Sequence, residues 1–550
     1  MNFSKRFALL IIFLLNLTFV NAQTNDDYAA QWKKIAAFEA KGLSKNALEE
    51  TVKIFTDAVK KGNEAQQIKA AMYQMKYRNM VEEDNAQKNI FFVDTLIAQT
   101  KPPAKNILLS MQAQLFQSYK ENNRYKLYGR TALVEEIGND LTTWSIKKLN
   151  EKISSLYKAS LQNENILKAT ELKGLDAIIE KGVNSRQLRP TLYDLLAHRA
   201  LDYFMSSEND VTQPAYKFII NDPVAFAPVK EFAAHRFVTK DTASLYYNAL
   251  LIMQDLLSFH ANDANPEALI DADLKRLEFI NEHGSFTDKQ KLYEAALLNL
   301  ETRYSSSPAS AQAAYLRARL HLEKAEKYNP LTGAIFQFEK IKAKEIAEAA
   351  YAKFPKSEGG INAKNLLLEI EKPEMRFETE KVNLPEQPFR ALVQYKNINE
   401  IWLRLVKTNR DEIKRSEQTE YDKIWPAILS LKAMKTWSVA LPDQKDYQEH
   451  TTEIKIDGLP LGTYYLIASK NEDFSLGNNI IARAVTFVSN ISYIANSKNE
   501  LYALDRNDGK PLVNATVQLW ANEYNYGTRK YEENKRGLYT TDKNGFVKNK

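Results

Sequence analysis

The sequence predicts an α-then-β multidomain protein: a long helical region followed by β-sandwich domains, the last one incomplete. Three observations lead there. Glycine is scarce in the first two thirds, with ten residues up to Glu371, and apolar side chains there recur at helical spacing. Past Lys372 and Pro373 the pattern changes to β-branched and aromatic residues with period two, broken by Gly, Pro, Asn and Asp. Cysteine is absent from all 550 residues, so the domains must hold by burial alone, and thiol catalysis and Cys-ligated zinc are excluded.

Residues 1–22 read as a removed export signal. Lys5 and Arg6 precede an apolar run from Phe7 to Leu17, and Val20 and Ala22 stand where a signal peptidase reads, so cleavage is expected after Ala22. No other apolar stretch approaches the roughly twenty residues needed to span a bilayer. The expected product is exported, has no transmembrane segment and no lipobox cysteine, and resides in the periplasm, at the outer membrane or outside the cell. The net charge of +6 is spread among interspersed residues of both signs, which leaves no nucleic-acid footprint.

Residues 23–371 are expected to form one α region. Ala47, Leu48, Val52, Phe55 and Val59 make a helical stripe, Glu49 and Lys53 are placed to pair at i, i+4, and Gly62 with Asn63 ends the segment. Similar stretches run from Ile107 to Tyr119, Thr143 to Leu161, Pro190 to Met205 and Ser244 to Phe259. Near the end, Arg303, Tyr304, Ala313, Leu316 and Leu320 recur as Lys353, Phe354, Ala363, Leu366 and Ile370. With small residues such as Ala295, Ala296, Ala347 and Ala350 between them, this reads as a tetratricopeptide-like helical solenoid, or else as an irregular bundle.

Chemistry-bearing residues in this region form no recognised spacing. His198, Arg199 and Asp202 lie within one turn and Arg236 follows His235, yet no paired-histidine motif occurs among the six histidines. Glu135, Glu136 and Asp140, like Asp271 with Asp273, read as solvated helix faces. Tyr246, Tyr247 and Phe259 read as core. No nucleophile elbow, phosphate loop or dinucleotide fingerprint appears, so no catalytic, cofactor-binding or metal residue is assigned, no cofactor is expected, and the chain is read as non-enzymatic.

Residues 374–488 are expected to form a first β-sandwich. Ala391 to Tyr395 and Ile401 to Val406 alternate around a turn at Asn397 to Glu400. A charged, partly helical insertion follows from Asn409 to Lys435. Leu459, Pro460, Leu461 and Gly462 then make a corner before Thr463 to Ala468, with Leu459 plugging the sandwich end and Tyr464 burying its ring with its hydroxyl outward. A further strand runs from Ile480 to Val488. Residues 489–550 begin a second sandwich: a strand from Leu501, a turn from Asp505 through Gly509, Lys510 and Pro511, and a returning strand through Val513, Ala515, Val517 and Leu519. A polar excursion rich in Tyr and charge leads to a second turn at Thr541, Asp542, Asn544 and Gly545.

These β motifs carry a family resemblance. The Gly509-Lys510-Pro511 turn, the Ala515-x-Val517 strand and the Thr541-Asp542-x-x-Gly545 turn resemble the second macroglobulin (MG2) domain of alpha-2-macroglobulin-like proteins. Carboxypeptidase-regulatory-like modules share much of this pattern. The Asn-containing turn before Ile401-Trp402-Leu403-Arg404-Leu405, and the Leu459-Pro460-x-Gly462-x-Tyr464 corner, resemble the first macroglobulin-like domain of the bacterial members. Behind a signal peptide and a helical region, the order is similar to the long exported macroglobulins of Bacteroidetes-type bacteria.

The resemblance implies the N-terminal part of an exported endopeptidase inhibitor that acts by entrapment, its partners being proteases met through a bait region beyond Lys550. It implies also that any thioester cysteine lies elsewhere or does not exist. Sixty or so residues after Ser489 are too few to close a sandwich of roughly 100 residues, so the chain is expected to continue. Two other readings stay open: a helical interaction scaffold of the cell envelope with an envelope protein as partner, and a surface transport-associated protein with a carboxypeptidase-regulatory-like module.

Overall fold

The structure, a computed structural model, describes residues 28–82, 86–128, 138, 140–182, 184–206, 215–418, 421–497 and 500–548. The expected signal segment, Glu135 and Glu136 lie outside them. Helices follow one another from Ala29 to Glu371, and β-sheet domains begin at Glu374. By compactness the chain forms two units, Met1–Arg317 with Ala350–Ile361, and Ala318–Ala349 with Asn362–Lys550.

In the first unit, helices near in sequence pack on one another: Ser44–Lys61 on Glu64–Val81, Leu192–Phe204 on Leu245–His260, and the latter on Glu267–His283. Gly62 adopts the left-handed conformation (φ 67°) that ends Ser44–Lys61, and the Asn63 side chain then caps Glu64–Val81 by accepting from Gln66 N at 3.2 Å. The face that Ser44–Lys61 buries is rotated from the one hydrophobicity suggests. Ala47, Glu50, Thr51, Ile54, Phe55 and Ala58 are buried, whereas Val52 is exposed. Two polar residues account for the shift. Thr51 satisfies its hydroxyl on Leu48 O at 2.6 Å, and Glu50 is neutralised by Lys34 and Lys53, each at 2.9 Å. Lys53 thus pairs with Glu50 rather than with Glu49.

The late helices bury their repeated positions. Ala313, Leu316 and Leu320 on Ser310–Ala325, and Ala363, Leu366 and Ile370 on Glu358–Glu371, are all buried. Gly359 lets the start of the second helix approach the start of the first, because a Cβ there would lie 2.1 Å from Gln312 N and 2.2 Å from Ala311 C.

The second unit contains the β domains. Strands β1 (Glu374–Thr379), β2 (Val382–Asn383), β3 (Phe389–Lys396), β4 (Glu400–Thr408), β5 (Ala433–Ala440), β6 (His450–Ile456), β7 (Gly462–Ser469) and β8 (Ile481–Val488) form two sheets, ordered β1-β3-β6 and β2-β8-β7-β4-β5. Period two puts Ala391, Val393 and Tyr395 of β3 and Ile401, Leu403 and Leu405 of β4 into one core with Phe377, Ile454, Leu459, Tyr464 and Leu466. The insertion after β4 does more than interrupt. Its helix Tyr421–Leu429 lays Ile424, Trp425 and Ile428 over Val406, Tyr465, Ile467 and Phe474, covering the other face of the larger sheet. The expected insertion also overran β5, whose alternation of exposed and half-buried residues marks an edge strand.

The corner before β7 is built as the sequence suggests, with one difference. Tyr464 is fully buried, and its hydroxyl turns back to donate to Pro460 O at 2.8 Å instead of reaching out. The turn at Asn397 (φ 55°) carries a second duty: the Asn397 amide donates to Ile370 O at 2.7 Å and Lys372 O at 3.2 Å, satisfying the last carbonyls of the preceding helix.

The last strands are β9 (Ile491–Ala495), β10 (Glu500–Asp505), β11 (Thr516–Asn525), β12 (Lys530–Thr540) and β13 (Phe546–Lys548). The expected hairpin from Leu501 to Leu519 forms only next to its turn, where Leu504 bridges Pro511, Asp505 N donates to Lys510 O at 2.8 Å and Leu512 N to Ala503 O at 2.9 Å. The turn has Asp505 Oδ1 accepting from Asn507 N at 2.9 Å and Gly509 at φ 73°, but beyond it the strands part. β10 joins β13 and β9, while Asn514 (φ 58°) turns the chain toward a separate ribbon of β11 and β12. The polar excursion is that ribbon's second half.

Thr541 ties the two parts together: its hydroxyl accepts from Ala515 N at 2.8 Å and donates to Leu512 O at 2.6 Å. Gly545 (φ 70°) lies so close to β10 that a Cβ would meet Ala503 O at 2.3 Å.

Three glycines generate tests. Gly359→Ala should destabilise the protein by about 1–3 kcal/mol through overpacking against backbone. Gly477→Ala, with nothing within 4 Å of the added carbon, should stay within about 0.5 kcal/mol. Thermal unfolding of both variants decides, and equal melting temperatures would refute the close-approach account. Gly545→Ala, strained in φ as well as in space, should loosen the β9-β10-β13 sheet, seen as faster hydrogen exchange at Ala503 N, which donates to Gly545 O at 2.8 Å.

Candidate functional site

The titratable residues singled out in sequence do not converge. Arg199 turns to donate to Ser110 Oγ at 2.9 Å and Gln114 Oε1 at 2.7 Å, and burial lowers its pKa. Asp202 is exposed and pairs with Lys275 at 2.6 Å. His235 meets Asp222 at 3.0 Å, and Arg236 is exposed. Asp140 accepts from Thr142 N at 2.9 Å, opening a short 3-10 turn.

What the sequence did not disclose is a buried histidine–aspartate network in the first unit. Thr191 and Asp194 form a reciprocal capping box at the start of Leu192–Phe204: Asp194 Oδ2 accepts from Thr191 N at 2.8 Å and from its hydroxyl at 2.7 Å. The other oxygen, Oδ1, meets His260 Nε2 at 2.6 Å, and His260 Nδ1 meets Asp263 Oδ2 at 2.6 Å. Burial opposes charge on His260, but the two carboxylates outweigh it, and its pKa is raised. An imidazole bonded at both nitrogens to carboxylates is a donor at both, hence an imidazolium.

One turn along the same helix, His198 is buried with Nδ1 unbonded and Nε2 3.7 Å from Asp271. Burial first, then Arg189, Lys275 and His260, push its pKa down to about 2. Burial raises Asp271, against the pull of Arg189.

Asp271 and Asp273 are therefore not a solvated face. Asp273 is buried against Arg276, the largest fully buried side chain among the described residues, whose Nε donates to it at 2.7 Å. Arg276 Nη1 donates to Ala225 O at 2.7 Å, and its guanidinium lies 4.4 Å from the Phe232 ring centre. Burial raises the Asp273 pKa while the guanidinium opposes that shift. The aromatic stripe is only half-buried. Tyr246 packs on Phe279 and its hydroxyl lies 3.0 Å from His283 Nδ1, Tyr247 meets Phe218, and Phe259 meets Tyr193.

In the second unit a polar cleft of about 400 Å³ is lined by Tyr395, Asn397, Asn399, Asp443, Asp446 and His450, among others. Asp446 organises it, accepting from His450 Nε2 at 2.8 Å, Gln448 N at 2.9 Å and Gln337 Nε2 at 2.9 Å. Burial would raise its pKa, but these bonds hold it below the usual carboxylate range. The Tyr395 hydroxyl donates to Pro442 O at 2.6 Å. Asp446, His450 and Tyr395 thus fix the 442–450 loop in place. Among the described residues no group of three or more His, Asp or Glu is placed to hold a metal ion, and no helix is long and apolar enough to cross a membrane.

No protein-family model matches the sequence, and no curated protein matches it. Among solved structures that match is native alpha-2-macroglobulin from Escherichia coli, spanning domains MG0-NIE-MG1. It is 13% identical over 32% of this chain and 56% of that one, with a TM-score of 0.23. The chain thus spans little more than half of that structure, and the likeness carries no functional argument.

The two histidines pull stability in opposite directions with pH. His198, neutral when folded, draws stability away as pH falls below about 6.5, at roughly 1.4 kcal/mol per unit. Stability from His260 is complete below about 6.5 and is lost as pH rises through its raised folded value. Denaturant unfolding from about pH 4.5 to 9 should show a flatter acid limb in His198→Gln and a flatter alkaline limb in His260→Gln. Slopes unchanged from the parent would sink this assignment.

Proposed function

We propose that this chain is a non-catalytic part of an exported, macroglobulin-type inhibitor that traps endopeptidases. In this reading residues 374–488 and 489–550 belong to its first macroglobulin-like β-sandwich domains. The α region serves as a tetratricopeptide-like platform open to an envelope partner. A protease would cut a bait segment elsewhere in the protein, and the β domains would close around it. The periplasm, the outer membrane or the exterior is where such a molecule meets its targets.

The observation that carries the reading is how the motif residues are used. Tyr464 closes the Leu459–Gly462 corner on Pro460 O, and Thr541 with Gly545 docks the second turn on Leu512, Ala515 and Ala503. Residues that carry the resemblance in sequence therefore fix strand ends. A non-catalytic role is supported by the commitment of Asp194, His260, Asp273, Arg276, Asp446 and His450 to one another and to backbone.

The test uses the protein as isolated from its own source, incubated with several endopeptidases. Cleavage confined to one segment is expected, with the protease still active on a small peptide substrate but shielded from a large protein substrate. Dispersed cleavage with undiminished activity on the large substrate would overturn the reading.

A further inference from the structure

The second unit presents an apolar loop that neither the sandwich core nor the proposed trapping mechanism uses. Between helices Ser310–Ala325 and Glu339–Lys353, the loop exposes Leu331 by 93%, Ile335 by 69%, Phe338 by 50% and Phe336 by 37%. Large apolar side chains so exposed within one short segment mark an interaction site.

The segment is held in this shape. Asn329 Oδ1 accepts from Leu331 N at 2.9 Å, Asn329 O accepts from Thr332 N at 3.0 Å, and Ala334 O accepts from Gln337 N at 3.1 Å. At its base, Gln337 Nε2 donates to Asp446 Oδ2 at 2.9 Å and Gln444 Oε1 at 3.1 Å, while Gln337 O accepts from Gln448 Nε2 at 3.1 Å. Lys340 Nζ donates to Tyr447 O at 3.2 Å. The clasp around Asp446 thus fixes the root of the loop and leaves its tip in water.

Charge indicates what the tip meets. From Lys327 to Phe338 there is no Asp or Glu, and four lysines (Lys324, Lys327, Lys340 and Lys342) stand on the flanks against two glutamates, Glu326 and Glu339. Of these, Glu339 pairs with His321 at 2.5 Å and with Lys342 at 2.8 Å, and Lys340 is held on Tyr447 O, so the positive excess nearest the tip is that of Lys324 and Lys327 over Glu326. An apolar tip free of carboxylates and flanked by lysines suits the boundary between acyl chains and anionic headgroups, where buried apolar area and lysine attraction add.

We propose that residues 326–338 are an interfacial anchor, which inserts Leu331, Ile335, Phe336 and Phe338 into an anionic lipid surface. The attachment is peripheral and reversible, since a few side chains supply it, and it is independent of the trapping function.

The full chain would be sedimented with vesicles of phosphatidylcholine, with and without phosphatidylglycerol. Binding to the anionic vesicles is expected, weakening with salt. Leu331→Ser with Ile335→Ser should bind about tenfold or more weakly, and Lys324→Glu with Lys327→Glu should lose the preference for phosphatidylglycerol. Leu331, Ile335 and Lys327 are exposed and Lys324 is half-buried, so unchanged circular dichroism and melting temperature serve as the folding control. Absence of co-sedimentation by the parent chain, or equal binding by the serine variant, would overturn the proposal. So would a serine variant that alters self-association but not vesicle binding, which would assign the loop to a second copy of this chain.

Discussion

The last carbonyls of a helix have no donors within it, and buried amide side chains supply donors to several such carbonyls, and to others nearby, in the α region. Asn106 donates to Ser160 O and Gln162 O, Gln112 to Ile90 O, and Gln254 to Phe232 O and His235 O. Gln67 donates to Ala58 O and Asn89 to Met75 O. Each spans a helix and a neighbouring segment, and most act where carbonyls near a helix end have run out of intrahelical donors. An amide in a dry interface contributes little net energy when bonded and costs much when orphaned. These residues therefore fix which helix lies against which more than they add stability.

The same economy governs the second unit. Asn397 finishes a helix and turns the chain into β4, Asp446 gathers one histidine, one glutamine and one backbone amide, and Thr541 serves two strands with one hydroxyl. Single polar residues at junctions set the geometry between elements whose faces are otherwise apolar. That is why the motif residues of the β domains are corner and turn residues, and why their chemistry is positional.

The order of helices and strands was legible because period 3.6 and period 2 differ so plainly on either side of Pro373. The turn residues Gly62, Asn397 and Gly509 were legible because left-handed backbone demands them. Tertiary pairings were not. Thr51 and Glu50 rotated the buried face of their helix because a hydroxyl can bond its own backbone and a carboxylate can be neutralised from two sides. Asn514 parted strands that local pattern joined. The Asp194–His260 contact spans 66 positions, and nothing at either residue marks the other. Asp271 and Asp273 looked solvated because two nearby acids in a helix usually are. Arg276 stands at i+3 from Asp273, where the pattern could have shown a pair but not its burial, and Arg189, 82 positions from Asp271, could be recognised only in three dimensions.

The pair of Arg276 and Asp273 has a bearing on how this sequence is free to drift. A guanidinium enclosed by Phe232 and bonded to Ala225 O leaves no water to replace its carboxylate. Loss of either charge strands the other in a dry interior, whereas an apolar pair of similar volume would fit. The two positions are thus bound in reciprocal sign epistasis: each single step is a valley, the double step a plateau. Related chains should carry both residues or neither, and that joint inheritance would trace descent more faithfully than the variable surface around it.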